Sequence, residues 1–205
     1  MRNFVNILNE RGNVKMFNSA VEVPKEDLEK IIDLAQKTPS GWNLQHWKFI
    51  VFESETSREK LFPVANYQKS VLDAGAVVAV MADTQADKNF DYVYNPLLGD
   101  SLEEWIRDRL REQVSLSYDD EENGINNAFE HAFTNAGMSA VTLAYAAESY
   151  GYDTGIIGGF NKEEFINEFD VPERYIPLVL IPIGRKSEMP HKSTRFSRDN
   201  TTTWI

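Results

Sequence analysis

The stretch INNAFEHAFTNAGMSAVTLAYAAESYG, residues 125–151, limits what this chain can fold into more than any other. It is rich in alanine and other small residues and apolar around much of its girth, the pattern of a long helix that belongs in the middle of a domain. Gly151 closes it at the C′ position, which favours glycine. AVVAVMAD (76–83) adds a second constraint, because a continuous apolar run of that length fits a strand buried on both faces. YIPLVLIPIG (175–184) reads the same way, and KFIVF (48–52) is β-branched and aromatic enough for a third strand.

Between these runs the pattern turns helical. In VPKEDLEKIIDLAQKTPSG, Pro24 sits near the start, acidic residues fill the first turn, and Leu28, Ile31, Ile32 and Ala35 share a face until Pro39 stops the helix. SETSREKLFPVANYQKSVLDAG predicts two short helical pieces around Pro63, and Ser101 to Ser115 predicts another helix. YDDEENG reads as a polar connection, and NKEEFINEF opens with Asn161 and Glu164 at capping-box spacing. No hairpin signal, repeat or linker divides the chain. The expectation is one α+β domain over residues 1–205, a central mixed sheet wrapped by helices with one long buried helix.

Charge and composition narrow the function. The net charge of −11, from 21 Lys and Arg against 32 Asp and Glu, argues against non-specific binding to nucleic acid or anionic membrane. Absence of cysteine excludes disulfides, thiolate catalysis and thiolate metal sites. His46, His131 and His191 pair with nothing at metal-ligand spacing, so no metal site is expected. No nucleophile elbow, Walker loop or helical H-E-x-x-H occurs. The opening MRNFVNILNERGNVKMF lacks a signal peptide's apolar core, and no run reaches the ~18 apolar residues of a membrane span. The expected compartment is the cytoplasm.

Three features could carry chemistry. Arg11, Asn13 and Lys15 near the start, and Lys192, Arg195 and Arg198 near the end, are donor clusters that either converge on one anion or serve as solvated faces. TGIIGGF (154–160) does not fit G-x-G-x-x-G and follows a helix, so no Rossmann site is expected. Its paired glycines permit either close approach of a ligand to backbone N–H groups or a turn at positive φ. TPSGWNLQHW, leading into the first strand, is an unusually dense mix of amides and flat rings. Trp42, Trp47 and Trp105 can stack on a ligand or pack in a core.

Taken together, these segments resemble the FMN-dependent nitroreductase family. PSGWNLQHWKFIVF resembles its P-S-S-x-N-x-Q-P-W loop, and RGNVKMF its opening R-x-S-x-R/K-x-F. VANYQKSVLDAGAVVAVMAD, the long helix with GYDTGIIGGF, and KSTR also match in the family's order, from residue 11 to 195. The resemblance implies a homodimer with FMN at the interface and hydride transfer from NAD(P)H to nitroaromatics, quinones or related acceptors by a ping-pong mechanism. It implies that Arg11, Lys192 and Arg195 hold the phosphate, and that Asn13 and Lys15 reach the ribityl chain and pyrimidine end. Pro39, Ser40 and Asn43 come from the partner, Gln68 faces the pyrimidine edge, and Gly158 or Gly159 offers an N–H to the flavin N5. No protein side chain is a nucleophile in this scheme. Asn13 in place of Ser, Gly12 in place of a basic residue or His, His46 in place of Pro, and the order NYQ depart from the family pattern. The alternative function is a flavin-binding protein for storage or redox sensing, without turnover.

Overall fold

Among the residues that the computed structural model describes (3–98, 104–118 and 127–205), four strands form one sheet: β1 (Trp47–Phe52), β2 (Ala76–Asp83), β3 (Asp153–Thr154) and β4 (Tyr175–Gly184), in the order β1-β2-β4-β3. Every residue of β2 is buried, as its unbroken apolar run requires of a strand with neighbours on both edges and layers on both faces. Its side chains divide by alternation. Ala76, Val78, Val80 and Ala82 enter one core, and Val77, Ala79 and Met81 the other.

All pairings among the described residues are antiparallel, which corrects the expected mixed sheet. Helical segments between strands suggested parallel crossovers. Instead, the end of β1 lies opposite the beginning of β2, Phe52 against Val77, so the helical connection leaves and re-enters at the same end of the sheet.

Helices α1 (Phe4–Glu10) and α2 (Lys25–Ala35) precede β1. Leu28, Ile31 and Ala35 bury one face of α2, as its spacing predicts, and Pro24 occupies the N-cap. Between β1 and β2 lie α3 (Glu55–Val64) and α4 (Lys69–Asp73). Here the expected break at Pro63 is displaced. α3 runs through Pro63 into Val64, and the chain turns at Asn66 and Tyr67, both left-handed at φ 54° and 56°. Proline in a last turn removes one N–H without stopping the residue after it; the reversal comes when the Tyr67 N–H reaches back to the Phe62 carbonyl at 3.0 Å.

Beyond β2 come α5 (Phe90–Leu98), α6 (Glu104–Tyr118) and α7 (Asn127–Ser149). α6 runs three residues past the Ser115 end expected for it; residues 101–103, and 119–124 of the expected polar connection, lie outside the described residues. α7 ends as foreseen. Gly151 takes φ +87°, and the Gly151 and Tyr152 N–H groups bond back to Glu148 and Ala147 at 2.9 and 3.1 Å. After β3, α8 (Lys162–Glu168) starts on Asn161, whose side chain accepts from the Glu164 N–H at 3.2 Å, and α9 (Arg198–Thr201) lies in the exposed tail.

One side of α7 fulfils the expectation of burial. Ala132, Ala136, Ser139, Ala140, Leu143 and Ala147 face the sheet and α2, and their small size lets the helix approach closely. The other side is uncovered in the single chain, with Met138 and Val141 about 40 % exposed (40 % and 42 %).

Candidate functional site

The two ends of the chain meet along the sheet's rim. Phe17 bridges to Lys186, the Asn18 N–H binds the Arg185 carbonyl at 2.8 Å, and the Ser187 N–H binds the Met16 carbonyl at 3.0 Å. Residues 16–18 therefore run against 185–187, and the two cationic clusters are brought together. Arg11, Lys192 and Arg195 line one cleft of about 810 Å3 with Lys186 and His191. Asn13, Lys15 and Lys192 line a neighbouring hollow of about 390 Å3 with Met16 and Met189. Gly12 is required there: a Cβ would stand 2.3 Å from Cγ of Pro190, so the basic side chain expected at this position is replaced by tail packing.

None of Arg11, Lys15, Lys192 and Arg195 is ion-paired among the described residues. In a chain of net charge −11, four cations gathered at one place, against Glu188 in the smaller hollow and Glu10 in the larger, give a local excess of positive charge suited to an anion. The solvated-face reading does not account for their convergence. Arg198, which pairs with Asp199 in α9, is the exception within its cluster and lines neither hollow.

The glycine turn adjoins these residues. The Asn13 side-chain oxygen accepts the Ile156 N–H at 2.6 Å, and the Val14 N–H donates to the Thr154 carbonyl at 3.1 Å. On its far side, Asn66 Nδ2 and Gln68 Nε2 both donate to the Gly159 carbonyl, at 3.1 and 2.9 Å. Gly158 and Gly159 adopt no positive φ, which removes the turn explanation for the pair. A Cβ built on either meets nothing within 4 Å, so the backbone is left open to whatever lies over it.

Pro39, Ser40 and Asn43 are elsewhere. Ser40 and Asn43 are bound into their own loop: Ser40 Oγ accepts the Gln45 N–H at 3.0 Å, the Ser40 carbonyl accepts the Asn43 N–H at 2.9 Å, and Gln45 Nε2 reaches the Asn43 carbonyl at 3.2 Å. Trp42, Asn43 and Gln45 all sit at positive φ, between 52° and 54°. Non-glycine residues adopt this region only where surroundings enforce it, and such strain gathers at functional loops. Asn135 of α7 accepts the Gly41 N–H at 2.9 Å, and Tyr94 of α5 donates to the Trp42 carbonyl at 2.9 Å. Pro39 lines a hollow with Gly137, Met138 and Val141 of the bare α7 side and shares none with Arg11 or Lys192. Part of the loop's density of amides and rings is thus internal bonding, and Trp47 is core, with Nε1 donating to Gln36 at 2.9 Å.

Several residues were not foreseen. Asn66 and Asn135 act as clamps whose partners are 93 and 94 residues away, beyond any local pattern. His46 is fully buried, and burial together with the charge of His131 lowers its pKa from 6.5 to about 4, against a smaller pull from Asp83. No group of three or more metal-ligating side chains occurs among the described residues, and no helix among them is long and apolar enough to cross a membrane.

Comparison with known proteins bears directly on this geometry. A family model described as the nitroreductase family matches residues 8–185. YodC of Bacillus subtilis (strain 168), provisionally named as an NAD(P)H nitroreductase, is 40 % identical over 206 residues, with 100 % of each chain covered. YdgI of the same strain, named likewise, is 30 % identical over 205 residues, covering 98 % of this chain and 97 % of YdgI. A crystal structure from Exiguobacterium sibiricum 255-15, described as a nitroreductase in complex with FMN, superposes with a TM-score of 0.89 at 26 % identity, covering 100 % of this chain and 98 % of that one.

Proposed function

The chain belongs to the nitroreductase family, and from that membership we propose an FMN-dependent oxidoreductase that carries hydride from NAD(P)H to nitroaromatic, quinone or related flat acceptors. One observation carries the reading. Four unpaired cations from opposite ends of the chain face adjoining hollows, beside glycine backbone with nothing over it.

The residues fit FMN at both ends. Arg11, Lys192 and Arg195 would hold the phosphate, arginine through paired N–H donors and lysine as a point charge. Asn13, its oxygen committed to Ile156, would turn its amide hydrogens toward the ribityl chain. Lys15 would lie at the pyrimidine end, where a preset cation favours extra electron density on the ring. Gln68 donates its amide hydrogens to the Ala65 and Gly159 carbonyls, which leaves its oxygen for an N–H on the pyrimidine edge. Gly158 or Gly159 would give a backbone N–H to N5, since no side chain blocks approach.

FMN held there would supply the hydride-transfer chemistry between NAD(P)H and the acceptor, which the reading expects to follow a ping-pong order. The protein's part is to bind, orient and bias charge, and no side chain need act as nucleophile. The reading makes the protein a homodimer in which Pro39, Ser40 and Asn43 close the partner's cleft. Two features support this: these residues share no hollow with the cations in one chain, and the bare side of α7 beside Pro39 is apolar. The compartment we assign is the cytoplasm.

The test is optical. Purified protein supplied with FMN should be yellow, bleach anaerobically on adding NAD(P)H, and regain colour with a nitroaromatic. A colourless protein that takes up no FMN and oxidises no NAD(P)H ends the reading. Tight FMN binding with no turnover by any acceptor would leave a storage or redox-sensing role instead.

A further inference from the structure

Away from the cations, three rings from three elements meet. His46 ends the loop that precedes β1, Tyr118 ends α6, and His131 lies in the first turns of α7. Tyr118 Oη is 2.7 Å from His46 Nε2. The His46 and Tyr118 rings are parallel within 2°, with centroids 6.2 Å apart, and His131 stacks on both at 6.0 and 5.4 Å. Gly41 packs against the cluster: a Cβ there would lie 3.8 Å from His131 Nδ1 and 3.9 Å from His46 Cε1. The Ser40–Gln45 loop thus rests on these rings. α6 is also fastened by a small core in which Val114 meets Leu44, Ala86 and Phe90, and by Arg111, which pairs with Asp91 of α5 at 2.5 Å.

We propose that His46 and Tyr118 are positioning residues: their hydrogen bond, stacked on His131, is an acid-released latch that ties α6 to the Ser40–Gln45 loop and keeps that loop in the shape of a flavin wall. The inference rests on the reading of the loop given above. At 2.7 Å the Tyr118 hydroxyl can donate its hydrogen to His46 Nε2. Only a neutral imidazole with its proton on Nδ1 can accept it. That Nδ1 is buried without a hydrogen-bond partner. A second proton would end that acceptance and place a charge beside His131 on a side chain buried from solvent.

The other charged groups facing the cluster do not rescue an imidazolium. Asp83, at the end of β2, already holds Arg174 through Nε at 2.9 Å and through a second contact to Nη2. Asp87 bears on the Tyr118 side, where burial first, then Asp87 and Asp83, push the phenol pKa up and keep it protonated; Arg174 opposes them. The sign follows from the His46 pKa of about 4 in the closed latch against 6.5 when free. The closed form takes up a proton less readily than the open form. Closure is therefore fully favoured above pH 6.5, and from there down to about pH 4 each pH unit shifts the equilibrium about tenfold toward opening.

Hydrogen exchange on the full chain between pH 7.5 and 5, corrected for intrinsic rates, tests this. Opening constants for α6 should be flat above pH 6.5 and rise about tenfold per unit below it. Peptides covering residues 40–45 should follow the same slope. The His46→Gln variant keeps a neutral acceptor for the phenol and cannot titrate, so its profile should be flat; Tyr118→Phe should open α6 at every pH. A flat wild-type profile, or a His46→Gln profile that keeps the slope, overturns the latch. A loop that stays protected while α6 opens overturns the positioning role, as does FMN that binds at pH 7.5 without slowing exchange of the loop. If FMN does not bind at all while the slope is present, the flavin reading fails and the latch stands.

Discussion

The two sides of α7 both carry apolar residues and meet opposite fates. Toward the sheet, Ala136, Ala140, Leu143 and Ala147 are buried against β2 and α2. Away from it, Met138 and Val141 are exposed, and Phe4, Leu34, Val141 and Tyr145 line a hollow of about 500 Å3 between α1, α2 and α7. A helix apolar around its girth needs protein on every side, and the single chain supplies it on one. The inner side makes this protein fold, and the outer side is where the proposed partner would pack.

The sharpest way to separate the two is to put a charge on the outer side. Val141→Asp should leave the monomer folded but turn the dimer into monomer in sedimentation velocity. Each copy would bury an unpaired carboxylate at the interface, on the order of 3–5 kcal/mol apiece. FMN affinity should fall with it, because the loop of Pro39, Ser40 and Asn43 would no longer reach the partner's cleft. A Val141→Asp protein that remains dimeric would break the comparison.

The inner side predicts a different signature. Leu143 is fully buried, and Leu143→Ala should cost about 2–5 kcal/mol of unfolding free energy, measured as a lower denaturant midpoint at unchanged slope. Its association state should not change. If Leu143→Ala dissociates the dimer at concentrations where the chain stays folded, the two sides are not independent.

The cleft follows in size. Arg195 is exposed and donates to the carbonyl of its neighbour Thr194 at 2.8 Å, so Arg195→Ala should leave stability unchanged. It should weaken FMN by about 1.5–3 kcal/mol, the range for a charge-assisted hydrogen bond, read by titration of flavin fluorescence. Unchanged affinity would remove the tail from the phosphate site.

How much of this was legible depends on range. Period and punctuation revealed β2, the buried face of α2, the cap at Asn161 and the end of α7 at Gly151, because each is set by a few adjacent residues. Strand direction was not legible, since an antiparallel pair with a helical connection carries no hairpin signal. Pro63 misled for the same reason: proline marks where a helix can stop, while the stop came from Asn66 and Tyr67 at positive φ, which non-glycine residues do not announce. The cationic clusters were visible as clusters, but their meeting depends on pairing of residues 16–18 with 185–187. His46 stood out as a replacement for proline and carried no hint of Tyr118, 72 residues away, because a lone histidine in a polar loop has no periodicity to read.

A similarly small effect on stability belongs to Gly158, and for that reason it is a clean probe. Glycines are usually kept for positive φ or for close packing, and Gly151 and Gly12 illustrate the two cases in this chain. Gly158 meets neither condition, for its φ is not positive and a methyl group would touch nothing within 4 Å. Gly158→Ala should therefore shift unfolding free energy by no more than about 0.5 kcal/mol, and reduced backbone freedom in the unfolded chain could make the shift stabilising. FMN binding should weaken all the same, because the methyl would occupy the space a flat ring needs to reach the backbone N–H. The pairing of unchanged stability with lost affinity is what a residue kept open for a ligand predicts. Unchanged stability with unchanged affinity would mean that the ring, if it binds, does not lie over this turn.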